Sequence, residues 1–271
     1  MDGLGLNGAT LPGCDLLTGI AAAAAAGFTH YEPRIPALEP MHERSAEVRA
    51  TLKSASLDWL PVNALEGAFV GPVSALKTKA GELFSLAALF EIPKMIVVPG
   101  PVTEARDRIA AAALLERLRS MAEGYGITLL YEFIGFGHHA FPSLEEARAL
   151  AGEAGLRLVL DTFHLAVSDT APQEIERLRQ EEIGLVHLSD ALVTCDAITA
   201  LTDSDRVLPG VGQLALLDLV GAICATGFRG PFSVEVFHPL YGERAPHEVA
   251  REAFSRATRL LAAAAVGGEG R

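Results

Sequence analysis

Short β-branched or Leu-rich runs alternate along this chain with longer Ala-rich stretches whose apolar positions recur at helical spacing. That alternation predicts βα units feeding a parallel sheet. Eight units can be counted, with strands expected over 3–7, 29–32, 59–63, 94–98, 128–132, 157–161, 184–188 and 231–235. Helices fill the intervals, and local chemistry marks some of their ends. Ser143 followed by Glu146 has the spacing of a capping box ahead of Ala147, Leu150 and Ala151, while Gly27, Gly126 and Gly155 stand where helices should stop.

Eight repeats favour a closed (β/α)8 TIM barrel over an open doubly wound sheet. Gly3, Gly5 and Gly8 do match GxGxxG, but only Met1 and Asp2 precede them, too few for the strand that must feed a phosphate loop. No Ser-rich linker, charge block or shift of composition divides the 271 residues. A single domain is therefore expected, with only the tail 262–271, ending GGEGR, left to fray.

Composition narrows the partners. Half the residues are apolar and the net charge is −12, which opposes the clustered Lys and Arg that phosphate backbones require. No nucleic acid is expected. Cys14, Cys195 and Cys224 are odd in number and far apart, so they form neither a disulfide framework nor a zinc ribbon and suit a reducing, cytoplasmic setting. The apolar stretch 16–29 is too short to span a bilayer and reads as a helix ending at Gly27. Ala-rich helices on a barrel exterior are compatible with a homodimer.

Four of the later strands end on a residue able to bind a metal: LLYE at Glu132, LVLD at Asp161, LVHL at His187 and SVE at Glu235. In an α/β barrel the C-terminal strand ends converge on one mouth, so these distant residues become neighbours. A carboxylate or imidazole that follows an apolar run costs free energy unless it is paired or coordinated. One such residue alone is ordinarily a satisfied polar cap on its strand; four on consecutive strands call for a cation. Three oxygen donors and one nitrogen suit a single divalent ion, Mn²⁺, Co²⁺, Zn²⁺, Mg²⁺ or Fe²⁺, without choosing among them.

The motifs YEF at 131–133, LDTFH at 160–164, VHLSD at 186–190, DRVLPGVG at 205–212 and SVEVF at 233–237 resemble those of the xylose isomerase-like barrels. Within that group the likeness is to inosose (2-keto-myo-inositol) isomerases, and NGAT at 7–10, YEPR at 31–34, VNAL at 62–65 and VTE at 102–104 extend it through most of the chain. The resemblance implies that Glu132, Asp161, His187 and Glu235 hold the metal, that both glutamates also move protons, and that His164 and Arg206 contact substrate oxygens. Val211, within the PGxG segment, and the HH pair of the loop 135–141 depart from the family pattern.

The reaction so implied is isomerisation or epimerisation of a small polyhydroxylated ketone, an inosose or a ketose. The metal would bind the carbonyl and a neighbouring hydroxyl and stabilise the enediolate, while one glutamate removes a proton and the other returns it. An inosose or dehydroshikimate dehydratase would share the first half and then expel a β-hydroxyl. An abasic-site DNA endonuclease needs more histidines at the mouth and a basic surface; here Glu32 and Asn63 end the second and third strands. A non-catalytic sugar-binding protein on the same fold is the remaining class.

Other residues have single-position claims. Glu32 and Arg34 can reach a substrate from the second strand end or pair with each other. Asn7 and Asn63 can bind hydroxyls or form turns. His138 and His139 can add a second metal or grip substrate, although a flexible loop with exposed imidazoles is the expected state, and His238 and Tyr241 follow Glu235 closely enough to serve a lid. Trp59 is expected to pack. Arg206 precedes LPG in a long irregular connection, where a barrel places its functional loops.

Overall fold

A computed structural model describes residues 3–102, 106–193 and 198–268. Cys195, the positions 103–104 of the VTE motif and the last three residues of the tail lie outside the described residues.

The strands are β1 (Leu4–Asn7), β2 (His30–Glu32), β3 (Asp58–Trp59), β4 (Val62–Glu66), β5 (Lys94–Val98), β6 (Thr128–Glu132), β7 (Arg157–Asp161), β8 (Ile183–Leu188), β9 (Asp190–Ala191), β10 (Arg206–Val207) and β11 (Phe232–Val234). All but β9 and β10 join one parallel sheet in the order β3-β2-β1-β11-β8-β7-β6-β5-β4. Its two edges are successive pieces of the same chain segment. Pro61, which has no N–H to give a ladder, lies in the gap between them. The N–H groups of Leu60 and Asn63 still reach the carbonyls of Tyr31 and Pro33, at 2.9 and 3.0 Å, so the sheet closes into a barrel of eight staves. The third expected strand, 59–63, is corrected accordingly: it is interrupted at its centre and runs on to Glu66.

Helices follow the staves, among them Leu16–Ala26, Ser45–Ser54, Val73–Leu89, Arg108–Glu123, Leu144–Ala154, Leu216–Ala225 and Pro246–Gly268. Gly27 and Gly155 end two of them in the left-handed conformation that a Cβ would penalise. Gly126 follows the helix that stops at Glu123, whose cap is Gly124. Ser143 accepts the Glu146 N–H and donates its hydroxyl to that side chain. At the C-terminus the expected fraying is corrected for 262–268. The apolar spacing of Ala250, Ala253, Ala257, Leu261 and Ala264 continues, these residues are buried, and the helix persists to Gly268. Among the described residues no helix is long and apolar enough to cross a membrane.

Strand periodicity then assigns each side chain to a layer. One residue set, including Met95, Val97, Leu129, Tyr131, Leu158 and Leu160, packs outward against the helices. The alternate set, Leu60, Ala64, Ile96, Leu130, Val159 and Leu185, fills the barrel axis. Gly5 belongs to this inner face, and a Cβ there would come within 2.3 Å of Leu60. Two residues beyond Leu130, Val159 and Leu185 stand Glu132, Asp161 and His187. The same alternation that fills the axis therefore aims all three into the mouth.

Candidate metal centre

Asp161 and His187 are register partners on β7 and β8, and His187 is also opposite Ser233 on β11, two residues before Glu235. Glu132 ends β6. Ligand atoms of Glu132, Asp161, His187 and Glu235 all lie within 4.8 Å of one another, and the four residues are buried. The convergence expected of these strand ends is therefore present.

His187 organises the cluster. Its Nδ1 is 3.0 Å from Glu132 Oε1 and 3.2 Å from Glu235 Oε2, and its Nε2 is 3.0 and 3.1 Å from the two carboxylate oxygens of Glu32. Burial by itself opposes the imidazolium, yet the surrounding Glu235, Glu32 and Glu132 raise its pKa well above the usual histidine value. The two glutamates are driven apart. Burial pushes Glu132 up to about 7, against the pull of His187; Glu235, despite its burial, is held down to about 2 by His187, Arg206 and Arg34.

Glu32, expected at the substrate, is corrected to a place behind the imidazole: it is fully buried and does not line the cavity. An acceptor on Nε2 leaves Nδ1 free to coordinate, the arrangement that second-shell carboxylates impose on metal-bound histidines. Asn63 gives its amide to Glu235 Oε1 at 2.8 Å and to Glu32 Oε1 at 3.3 Å. Asn7 donates to the same Glu235 oxygen at 2.8 Å, so two amides fix Oε1.

Arg206 is held over the mouth by the antiparallel pair β9 and β10. Its guanidinium meets Asp161 Oδ2 at 2.6 Å, Asp203 at 2.9 Å, Ser189 at 3.1 Å and His164 Nε2 at 3.1 Å, and lies over the Phe163 ring. The other Asp161 oxygen accepts the Phe163 N–H and so caps the helix Thr162–Val167. An arginine only donates, so His164 Nε2 accepts and Nδ1 carries the proton. Burial, then Arg206, lowers the His164 pKa to about 3, which keeps the ring neutral.

Asp190 explains the rest of the VHLSD and PGVG motifs. Its carboxylate accepts the N–H groups of Ala191, Gly210, Gly212 and Leu214 and ties that loop down. A Cβ at Gly212 would come within 2.1 Å of the Ala191 carbonyl oxygen. Val211, by contrast, turns outward and is exposed, away from the cavity. Tyr241 receives the Leu208 N–H on its hydroxyl and anchors the same loop from beyond Glu235. Trp59 packs beside Tyr31 and donates to the Phe90 carbonyl.

A cavity of about 530 Å³ opens above the cluster. Among its lining residues are Glu132, Glu235, Asn63, His164 and Arg206, together with Arg34, Phe136, His139 and Phe237; Asp161 and His187 do not line it. Sequence reasoning underrated His139. Its loop, expected to be flexible, is pinned where the Val102 N–H meets the His138 carbonyl and the Ala140 N–H meets Gly100. The apolar wall of Phe136 and the adjoining His138 was the available signal.

The donor set fits a divalent cation. Four carboxylates, those of Glu32, Glu132, Asp161 and Glu235, are buried around one guanidinium, Arg206, and one chargeable imidazole, His187, while His164 stays neutral. An uncompensated buried ion costs several kcal/mol, more than the ~1.5–3 kcal/mol that burying each inner-layer leucine contributes. The cluster could therefore hold a metal ion, with Nδ1 and the three carboxylates of Glu132, Asp161 and Glu235 as ligands.

Barrel and mouth cluster together define a (β/α)8 protein with a metal-type centre at the C-terminal strand ends. The chain matches the xylose isomerase-like TIM barrel over residues 20–260 and belongs to that family. It is 27% identical to an inosose isomerase of Halalkalibacterium halodurans over 179 residues, 63% of this chain and 62% of that protein. A 3-dehydroshikimate dehydratase of Pseudomonas aeruginosa is 33% identical over 141 residues, 49% of this chain and 22% of that protein. Both alignments thus span less than two thirds of the relative. The IOLI protein, solved with a bound zinc atom, superposes with a TM-score of 0.88 at 21% identity, covering 96% of this chain and 98% of that one. At that identity the likeness is one of fold.

Proposed function

We propose that the chain is a divalent-metal-dependent isomerase or epimerase of a small polyhydroxylated ketone, an inosose or a ketose. One observation carries the reading: of the four residues in the cluster, the two glutamates alone line the cavity. Asp161 and His187 are left to hold the ion. When bound, the metal supplies charge stabilisation to oxygens of the substrate.

The protein's own groups account for the proton traffic. Glu132 and Glu235 reach the cavity from β6 and from the end of β11, so a ketone seated between them meets one carboxylate on each side. One removes the proton beside the carbonyl, and the other returns a proton to the neighbouring carbon. Asn7 and Asn63 occupy Glu235 Oε1 and so leave Oε2 for this work. His164, neutral and with its proton on Nδ1, donates to a substrate oxygen, and Arg206 fixes that tautomer. Phe136, Ile134 and Phe237 supply apolar wall that limits water around the reacting carbons.

A lyase is the second reading, favoured by the identity to 3-dehydroshikimate dehydratase. It begins with the same proton removal and differs in losing a β-hydroxyl. Proton NMR of inososes and ketohexoses in deuterated water with metal-replete protein separates the outcomes: deuterium at one carbon with rearrangement marks the isomerase, and loss of water by mass marks the lyase. Glu235→Gln should abolish exchange. Exchange at the wild-type rate in that variant removes Glu235 from proton transfer.

A further inference from the structure

Five buried side-chain polar atoms have no hydrogen-bond partner among the described residues, and three of them, Arg34 Nε, His139 Nδ1 and His164 Nδ1, belong to residues lining the cavity above the cluster. Buried donors without acceptors are rare in folded proteins and point to a missing partner. Arg34 differs from the other two because its charge is permanent. Its guanidinium lies 5.2 Å from the centre of the Phe237 ring, a cation–π contact. Arg206 flanks the same ring but is neutralised by Asp161 and Asp203.

Arg34 has no carboxylate within ion-pair distance among the described residues. Glu32, two positions away, is committed to His187. The opposing charge it feels in the cavity is Glu235, which is already shared with His187, Arg206, Asn7 and Asn63, so the half-buried guanidinium keeps an unpartnered Nε. Lys79 also lines the cavity, gives its ammonium to the Glu66 carbonyl at 3.0 Å, and has no carboxylate within ion-pair distance among the described residues. Polyol hydroxyls, which both donate and accept, would satisfy the two imidazole nitrogens. They would not meet the charge on Arg34, whose planar fork matches an oxyanion.

We propose that Arg34 is a specificity-determining residue and that the ligand of this cavity carries an oxyanion, a carboxylate or a phosphate ester, seated on the Arg34 guanidinium. The inference rests on the reading of this cavity as the substrate site. Volume permits it: a cavity of about 530 Å³ is in the range that encloses larger ligands than a bare six-carbon polyol.

The test is calorimetric binding of three probes, D-fructose, 5-keto-D-gluconate and D-fructose 6-phosphate, to metal-loaded and to metal-free protein. Wild type should bind one charged probe at least tenfold more tightly than D-fructose. The charged probe that shows the preference identifies carboxylate or phosphate as the source. Arg34→Gln should remove the preference, read within each variant as the ratio of charged-probe to D-fructose affinity, and Arg34→Lys should keep part of it. Equal affinity for all three probes in wild type overturns the proposal, as does a preference that survives in Arg34→Gln. If neither variant folds, the wild-type comparison decides alone. Deuterium exchange on neutral ketones is scored separately, so failure of the isomerase reading leaves this result distinct.

Discussion

Both carboxylate oxygens of Glu32 lie within 3.1 Å of Nε2 of His187, on the side of the ring opposite Glu132 and Glu235. An acceptor in that position fixes the tautomer and the ring plane, and it raises the basicity of Nδ1. Replacing Glu32 by Ala should lower divalent-metal affinity by about 10–100-fold although none of the four proposed ligands is touched. Glu32→Gln, which keeps an acceptor, should lose less. Competition against a chromophoric chelator measures both, and unchanged affinity in Glu32→Ala would show that Glu32 does not support the ligand.

Metal binding should also appear as stability. The four buried carboxylates repel one another in the metal-free protein, and an ion that binds only the folded chain stabilises it by about 2.7 kcal/mol at 100 times its Kd. For a chain of this size each kcal/mol moves Tm by ~2–4 °C. Treatment with a chelator should therefore lower Tm by roughly 5 °C or more, and readdition of Mn²⁺, Zn²⁺ or Co²⁺ should restore it. An identical Tm with and without chelator would remove the ion from the cluster.

His164 gives a pH signature of defined sign. Its pKa is lowered from 6.5 to about 3 by burial and by Arg206. The unfolded chain then takes up a proton near pH 6.5 that the folded chain refuses, so this group withdraws stability as pH falls from about 6.5 towards 3. His164→Gln keeps an acceptor for Arg206 and a donor for the cavity but cannot titrate. Urea unfolding should show the wild type losing ground to this variant between pH 7.5 and pH 5. A difference that does not change with pH contradicts the assignment.

Much of this site was legible because strand periodicity and strand ends are local properties. Glu132, Asp161 and His187 each stand two residues beyond an axial residue, so an apolar run that stops on a ligand already carries the direction of the side chain. The interrupted third stave was not legible. Pro61 signals a break, but only closure against β2 and β5 shows that the strand resumes and runs to Glu66. Roles set by contacts across the barrel were equally hidden. Nothing near Glu32 in sequence distinguishes a residue that meets substrate from one that backs His187, 155 residues away. For Arg34 the sequence leaves open both a place in the pocket and a pair with Glu32; it lines the cavity, beside the ring of Phe237.

Asn7 and Asn63 make the final case, because both amides end on one oxygen, Glu235 Oε1, at 2.8 Å. A hydrogen bond to a charged group contributes about 1.5–3 kcal/mol, and a second donor on the same atom shares that task rather than doubling it. Either Asn→Ala change alone leaves one amide to orient the carboxylate. Each single variant should therefore lose tenfold or less in the rate of solvent-deuterium exchange. With both amides removed, Oε1 of Glu235 has lost both neutral donors, and only the contact of Oε2 with His187 Nδ1 at 3.2 Å still orients the carboxylate. Residues that share a partner couple by about 0.5–3 kcal/mol, so the loss in the double variant should exceed the product of the single losses by roughly two- to 150-fold. Losses that multiply without excess would mean that the two amides orient different groups.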